Sequence, residues 1–164
     1  MSNDFETIEA IATDFHKKVK EVFPDEKNMT RLLCKIVSLL GGKIIGTNNP
    51  EYYEINGGSL RVKKIGDFII KLPMDTSPLS DNFTIAHELG HYLLHYREED
   101  KEKIYAMYGN STEEIQANRF AAAFLMPRND FIEACSELKN SVPLLAARFQ
   151  VSPDSVRKRM EYIR

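Results

Sequence analysis

The chain opens with two stretches in which apolar side chains return every three or four positions. Phe5, Ile8, Ile11, Ala12, Phe15, Val19 and Val22 make the first stripe, and Met29, Leu32, Leu33, Ile36, Val37 and Leu40 the second. That spacing puts each set on one face of a helix, and Gly41-Gly42 stops the second helix. From Lys43 the texture changes to short β-rich runs: Ile44-Ile45, Tyr52 to Ile55, Leu60 to Lys63 and Phe68 to Leu72. They are separated by Asn49-Pro50, Asn56-Gly57-Gly58 and Gly66-Asp67. Turn signals between short strands predict a small antiparallel sheet of three to four strands.

Pro73 and Pro78 end the sheet, and Ser80 or Asp81 is placed to cap the next helix, predicted over residues 82 to 96. A charged loop follows, Arg97 to Lys103. Ser111 to Met126 reads as a second strong helix closed by Pro127, with short helices near 128 to 139, 142 to 149 and 153 to 163. The pattern is α+β: the small sheet packs on the helix over 82 to 96, flanked by helices at both ends. With 164 residues, 43% hydrophobic and 28% charged, the chain fits one soluble domain. Its parts are the N-terminal helices (1–42), the sheet and site helices (43–126) and a helical tail (127–164).

A net charge of −2 supplies no basic field for nucleic acid, and no apolar run is long enough to cross a bilayer. The start, MSNDFETIEA, lacks the basic and apolar segments of a secretory signal. Cys34 and Cys135 lie in helical patterns outside any CxxC pair, so they are expected to be free, buried structural thiols in a cytoplasmic protein.

Three of the four histidines, His87, His91 and His95, fall in the run FTIAHELGHYLLH, and the first two enclose Glu88 in an HExxH pattern. Side chains at i and i+4 share a helix face, so His87 and His91 can offer two imidazole nitrogens to one zinc ion. Glu88 borders that face and is placed to act as general base on a metal-bound water. His95 cannot complete the set on an unbroken helix. Eight residues rise about 12 Å, whereas two nitrogens on one zinc lie at most about 4 Å apart. It reads instead as a helix-end or packing histidine.

The downstream helix has better material. Glu114, Asn118, Ala121, Ala122 and Leu125 share a stripe that otherwise faces the core, and a buried carboxylate needs a partner such as a metal. Asn118, one turn on, can hydrogen-bond a ligand histidine from behind. Glu113 leads a competing apolar stripe of Ala117, Phe120, Ala121 and Phe124, so helical phase alone leaves both open; the placing of Asn118 favours Glu114. The plainer alternative is a capping glutamate in the first turn after Ser111.

FTIAHELGHYLLH together with EIQANRFAAAFLMP resembles the ImmA/IrrE family of zinc metallopeptidases, most clearly over residues 60 to 128, and LLAARFQVSPDSVRKRM is similar to that family's helical tail. The resemblance implies one zinc per chain on His87, His91 and Glu114, with Glu88 catalytic, as in glutamate-liganded zincins of the thermolysin type. Gln116 is a departure, since many relatives carry a second glutamate there. The implied activity is that of an endopeptidase that cleaves a helix-turn-helix repressor of a mobile element or stress response. Tyr92, Tyr105, Tyr108 and Arg119 are unranked candidates for steadying the oxyanion. The strand Phe68 to Leu72 resembles the edge strand on which zincins lay an extended substrate.

Two other readings use the same residues differently. One is a catalytically silent zinc protein that binds a repressor, against which the intact Glu88 argues. The other is a DNA-binding regulator using the tail, where Arg148, Arg157, Lys158, Arg159 and Arg164 cluster. The slightly negative net charge argues against direct nucleic-acid binding.

Overall fold

Helix α1 (Phe5–Val22) begins at Asp4, whose carboxylate accepts the Thr7 N–H at 2.8 Å, and α2 (Met29–Leu39) begins at Asn28, whose side chain accepts the Arg31 N–H at 2.9 Å. Such caps satisfy donors that the helix itself leaves over. The structure is a computed structural model, and it describes residues 4–47, 58–73, 76–106 and 109–164. Both helices bury the stripes read from the sequence, through Ile8, Ala12 and Val19 on one and Leu32, Leu33, Ile36 and Val37 on the other.

Among the described residues four strands follow the order β1-β3-β2-β4, with β1 at Gly42–Thr47, β2 at Gly58–Lys64, β3 at Asp67–Pro73 and β4 at Lys103–Ala106. The sheet is mixed and not antiparallel throughout, because β1 runs parallel to β3, pairing Gly42 with Phe68 and Thr47 with Pro73. Alternation of apolar residues is the same whichever way a strand runs, so the sequence carries no orientation. β2 pairs antiparallel with both β3 and β4. Phe68 to Leu72 is therefore an interior strand, and the expectation that it forms an open edge is overturned. An edge falls instead to β4, whose four residues beside a charged loop are too few for a periodic signal. The run Tyr52 to Ile55 lies outside the described residues. Gly41 and Gly66, at φ 88° and 79°, let two backbones meet: a Cβ on Gly41 would stand 2.1 Å from the Gly66 carbonyl oxygen.

The inward side chains of the sheet, Leu60, Val62, Phe68 and Ile70, are buried against α3 (Pro78–Leu94), where Phe68 stacks on Tyr92 with ring centroids 4.1 Å apart. α3 starts four residues earlier than predicted. Ser77, not Ser80 or Asp81, is its cap, and Pro78 opens the helix where its missing N–H has no bond to make. Ser111 caps α4 (Thr112–Leu125) through the Glu114 N–H at 3.2 Å. α3 and α4 touch at Gly90, where a Cβ would meet the Ala117 Cα and carbonyl oxygen at 3.3 Å and Phe120 Cδ1 at 3.1 Å.

Helices α5 (Arg128–Glu137), α6 (Val142–Phe149) and α7 (Pro153–Ile163) form the tail. Gln150, in a left-handed conformation after α6, fastens it: its side chain accepts the Met29 N–H at 2.9 Å and donates to the Lys27 carbonyl at 2.8 Å, while its own carbonyl accepts from Asn82 of α3 at 2.9 Å. Arg159, fully buried, forks onto Glu9 of α1 and donates from Nε to the Met126 carbonyl at 2.9 Å. The buried apolar residues form one cluster reaching from Ile8 to Val156. Both cysteines are free, but Cys34 is exposed on the outer side of α2 and Cys135 half-buried, so neither is the buried thiol expected. Among the described residues no helix is long and apolar enough to cross a membrane.

Candidate metal centre

One turn of α3 separates His87 from His91, and α4 crosses so that Glu114 meets both. His87 Nε2 lies 3.1 Å from Glu114 Oε2, His91 Nε2 lies 2.8 Å from Glu114 Oε1, and the two Nε2 atoms are 3.1 Å apart. All three residues are buried, and each presents one ligand atom within 4.8 Å of the others. Glu88, next to His87, is fully buried as well. Glu113 is excluded from this group by its position: its side chain is 49% exposed and stands 3.9 Å from Lys103 Nζ.

The outer faces of the imidazoles decide what the inner faces can do. His87 Nδ1 donates to Asn118 Oδ1 at 2.9 Å. A neutral imidazole carries one proton, so Nε2 is left with a lone pair aimed at a carboxylate oxygen. Ring nitrogens and carboxylate oxygens that face one another with lone pairs at about 3 Å repel unless a positive charge stands among them. The titration tendencies express the same demand. Burial opposes charge on His87, yet the hydrogen bond to Glu114 and the charges of Glu88 and Glu114 outweigh it and raise its pKa. Burial, helped by the neighbouring His87, pushes His91 down to about 4. For Glu114, burial favours the neutral acid, but the two histidines hold its pKa below the usual value. A carboxylate and two imidazoles that together attract one positive charge fit a divalent cation of the zinc type.

The sequence-predicted helpers separate. Asn118 lies behind His87, as its spacing suggested. Tyr92 is engaged elsewhere, its hydroxyl accepting the Gly66 N–H at 2.9 Å. Arg119 points away from the centre, its guanidinium carbon 3.6 Å from the Phe5 ring centroid and 4.3 Å from that of Tyr162. It borders a groove of about 1000 Å³ that contains none of the metal-centre residues. Tyr108 lies outside the described residues. Tyr105 of β4 stands beside the centre: its ring stacks on His91 at 4.8 Å, and its buried hydroxyl has no hydrogen-bond partner among the described residues. Burial raises its pKa, so it remains a donor at neutral pH. Sequence reading missed the contacts of His95, whose Nδ1 is 2.9 Å from His91 Nδ1 and whose Nε2 is 2.9 Å from Gln116 Oε1. In the tail, Arg159 is sealed in the core, and Arg148 and Arg157 are paired with Glu137 and Asp154.

An α+β fold of this kind around an HExxH helix and a downstream glutamate defines a zincin-like domain. Residues 61–161 match the model of the IrrE N-terminal-like domain, peptidase family M78, and the chain belongs to that family. No curated protein matches the chain. A solved structure of a Mycobacterium tuberculosis transcriptional regulator shares the fold, with a TM-score of 0.63 at 19% identity over 94% of this chain. The match covers 47% of that protein, so this chain spans about half its length.

Proposed function

We propose that the protein is a zinc-dependent endopeptidase in which His87, His91 and Glu114 hold the metal and Glu88 is the catalytic base. The observation that carries this reading is the convergence of three buried lone-pair donors from two helices on one point, with a buried carboxylate adjoining on the HExxH helix. A divalent ion held there supplies Lewis acidity that polarises the scissile carbonyl and acidifies water. Glu88 takes the proton of the attacking water and returns it to the departing amine. Tyr105 donates its hydroxyl to the oxygen that gains charge. Among the described residues the outer edge of β4 has no strand partner, and it offers its backbone groups to an extended substrate, beside the half-exposed Ile104.

The substrate we propose is a helix-turn-helix transcriptional repressor, in line with the family resemblance. The reading is tested by incubating the zinc-loaded protein with helix-turn-helix regulators of the same genome and mapping fragments by mass spectrometry. One discrete cut is expected with the parent and none with Glu88→Gln, which keeps its metal. Cleavage by Glu88→Gln at the parental rate sinks the assignment of Glu88.

A further inference from the structure

His95 ends α3 as its C-cap and is half-buried between His91 and α4. Its two ring nitrogens are both engaged, Nδ1 with His91 Nδ1 and Nε2 with Gln116 Oε1, each at 2.9 Å. An amide oxygen only accepts, so the proton of a neutral His95 sits on Nε2. Its Nδ1 then carries a lone pair and accepts from His91 Nδ1–H. That leaves His91 Nε2 with its lone pair directed at the point it shares with Glu114 Oε1 and His87 Nε2. The opposite polarity would put a proton on the nitrogen that must face the metal.

We infer that His95 and Gln116 are positioning residues, a two-step relay that fixes the tautomer and ring direction of His91; this rests on the reading of His87, His91 and Glu114 as metal ligands. α4 thereby serves the centre three times within two turns. Glu114 is a ligand, Asn118 fixes His87 directly, and Gln116 fixes His91 through His95. Partners behind ligand histidines raise ligand basicity and hold ring orientation, and their loss weakens metal binding roughly 10–100-fold. His91, His95 and Glu113 also lie within 4.8 Å of one another, as a second cation site would require. Hydrogen bonding between the two Nδ1 atoms and the exposure of Glu113 favour the relay.

The test is zinc affinity by competition with a chromophoric chelator, for the parent, His95→Leu, His95→Asn and Gln116→Leu. Asparagine places Oδ1 where the His95 Nδ1 stands, so it restores the acceptor that leucine removes. The relay requires one zinc per chain in the parent, affinity lowered roughly 10–100-fold in His95→Leu, and recovery to within a few-fold in His95→Asn. Gln116→Leu should fall between parent and His95→Leu. Equal affinities in His95→Leu and the parent, or no recovery with asparagine, overturn the relay alone. A second zinc lost with His95 makes the cluster a cation site and overturns it too, while a parent that takes up no zinc overturns the metal centre and the relay together. Nitrogen-15 histidine spectra of the zinc-loaded parent provide a check that needs no variant: protons on His91 Nδ1 and His95 Nε2 are expected, and the reverse assignment refutes the relay.

Discussion

Replacing Gly90 with alanine sets two effects of similar size against each other. In an ordinary helix interior the change stabilises by about 0.8–1 kcal/mol, because glycine loses more backbone freedom on folding. Here the new Cβ would meet Phe120 Cδ1 at 3.1 Å and the Ala117 Cα and carbonyl oxygen at 3.3 Å. The phenyl ring can tilt, but the Ala117 backbone belongs to α4 and yields only if the helices separate. Overpacking of this kind costs about 1–3 kcal/mol, so the net result is a destabilisation of about 0–2 kcal/mol. The functional consequence follows from position, since His87 and His91 lie on one side of this contact and Glu114 on the other. Metal sites tolerate distance errors of about 0.2 Å, and zinc affinity should fall roughly tenfold. Urea unfolding of the metal-free protein measures the first effect and chelator competition the second. A variant stabilised by the full helix-propensity gain with unchanged zinc affinity would refute the claim that Gly90 sets the spacing of the two helices.

Other expectations concern stability. Burial lowers the pKa of His16, whose Nδ1 donates to the Phe124 carbonyl at 2.9 Å. Below the ordinary value of 6.5 the unfolded chain takes up a proton that the folded chain resists, so stability falls with pH there, by up to about 1.4 kcal/mol per unit for this one site. Urea midpoints of His16→Gln at pH 7.5 and 5.5 should differ less than those of the parent, and an unchanged difference counts against the assignment. Glu9→Ala strands the buried Arg159 guanidinium and should cost about 3 kcal/mol, at the low end for a buried pair because Glu9 keeps a quarter of its surface in water. The double variant Glu9→Leu/Arg159→Met should recover most of that loss in thermal unfolding, whereas an additive loss would show that the pair itself stabilises.

The helices and the candidate site were the most legible parts of the sequence, for a common reason: both depend on i, i+3 and i, i+4 spacing within one segment. The stripe from Ile8 to Val19, the pair His87 and His91, and the offset from Glu114 to Asn118 are all local patterns. What escaped depends on contacts between segments. The parallel pairing of β1 with β3, the interior place of β3 and the short edge strand β4 are set by which strands meet, and period-two alternation is blind to that. Pro78 was read as a stop because the same residue suits both a strand end and a helix start. Helix rise set His95 apart from the His87 site in the sequence, but its link to Gln116 needed the crossing of α3 and α4. Cys34 sits in an amphipathic pattern on a face that α2 turns outward.

The most direct test of the metal centre is elemental analysis of the purified protein beside Glu114→Ala and Glu88→Gln, prepared without chelators. About one zinc per chain in the parent and in Glu88→Gln, lost with Glu114, is the expected result. Absence of metal from the parent even after zinc is added, or full retention in Glu114→Ala, would contradict it.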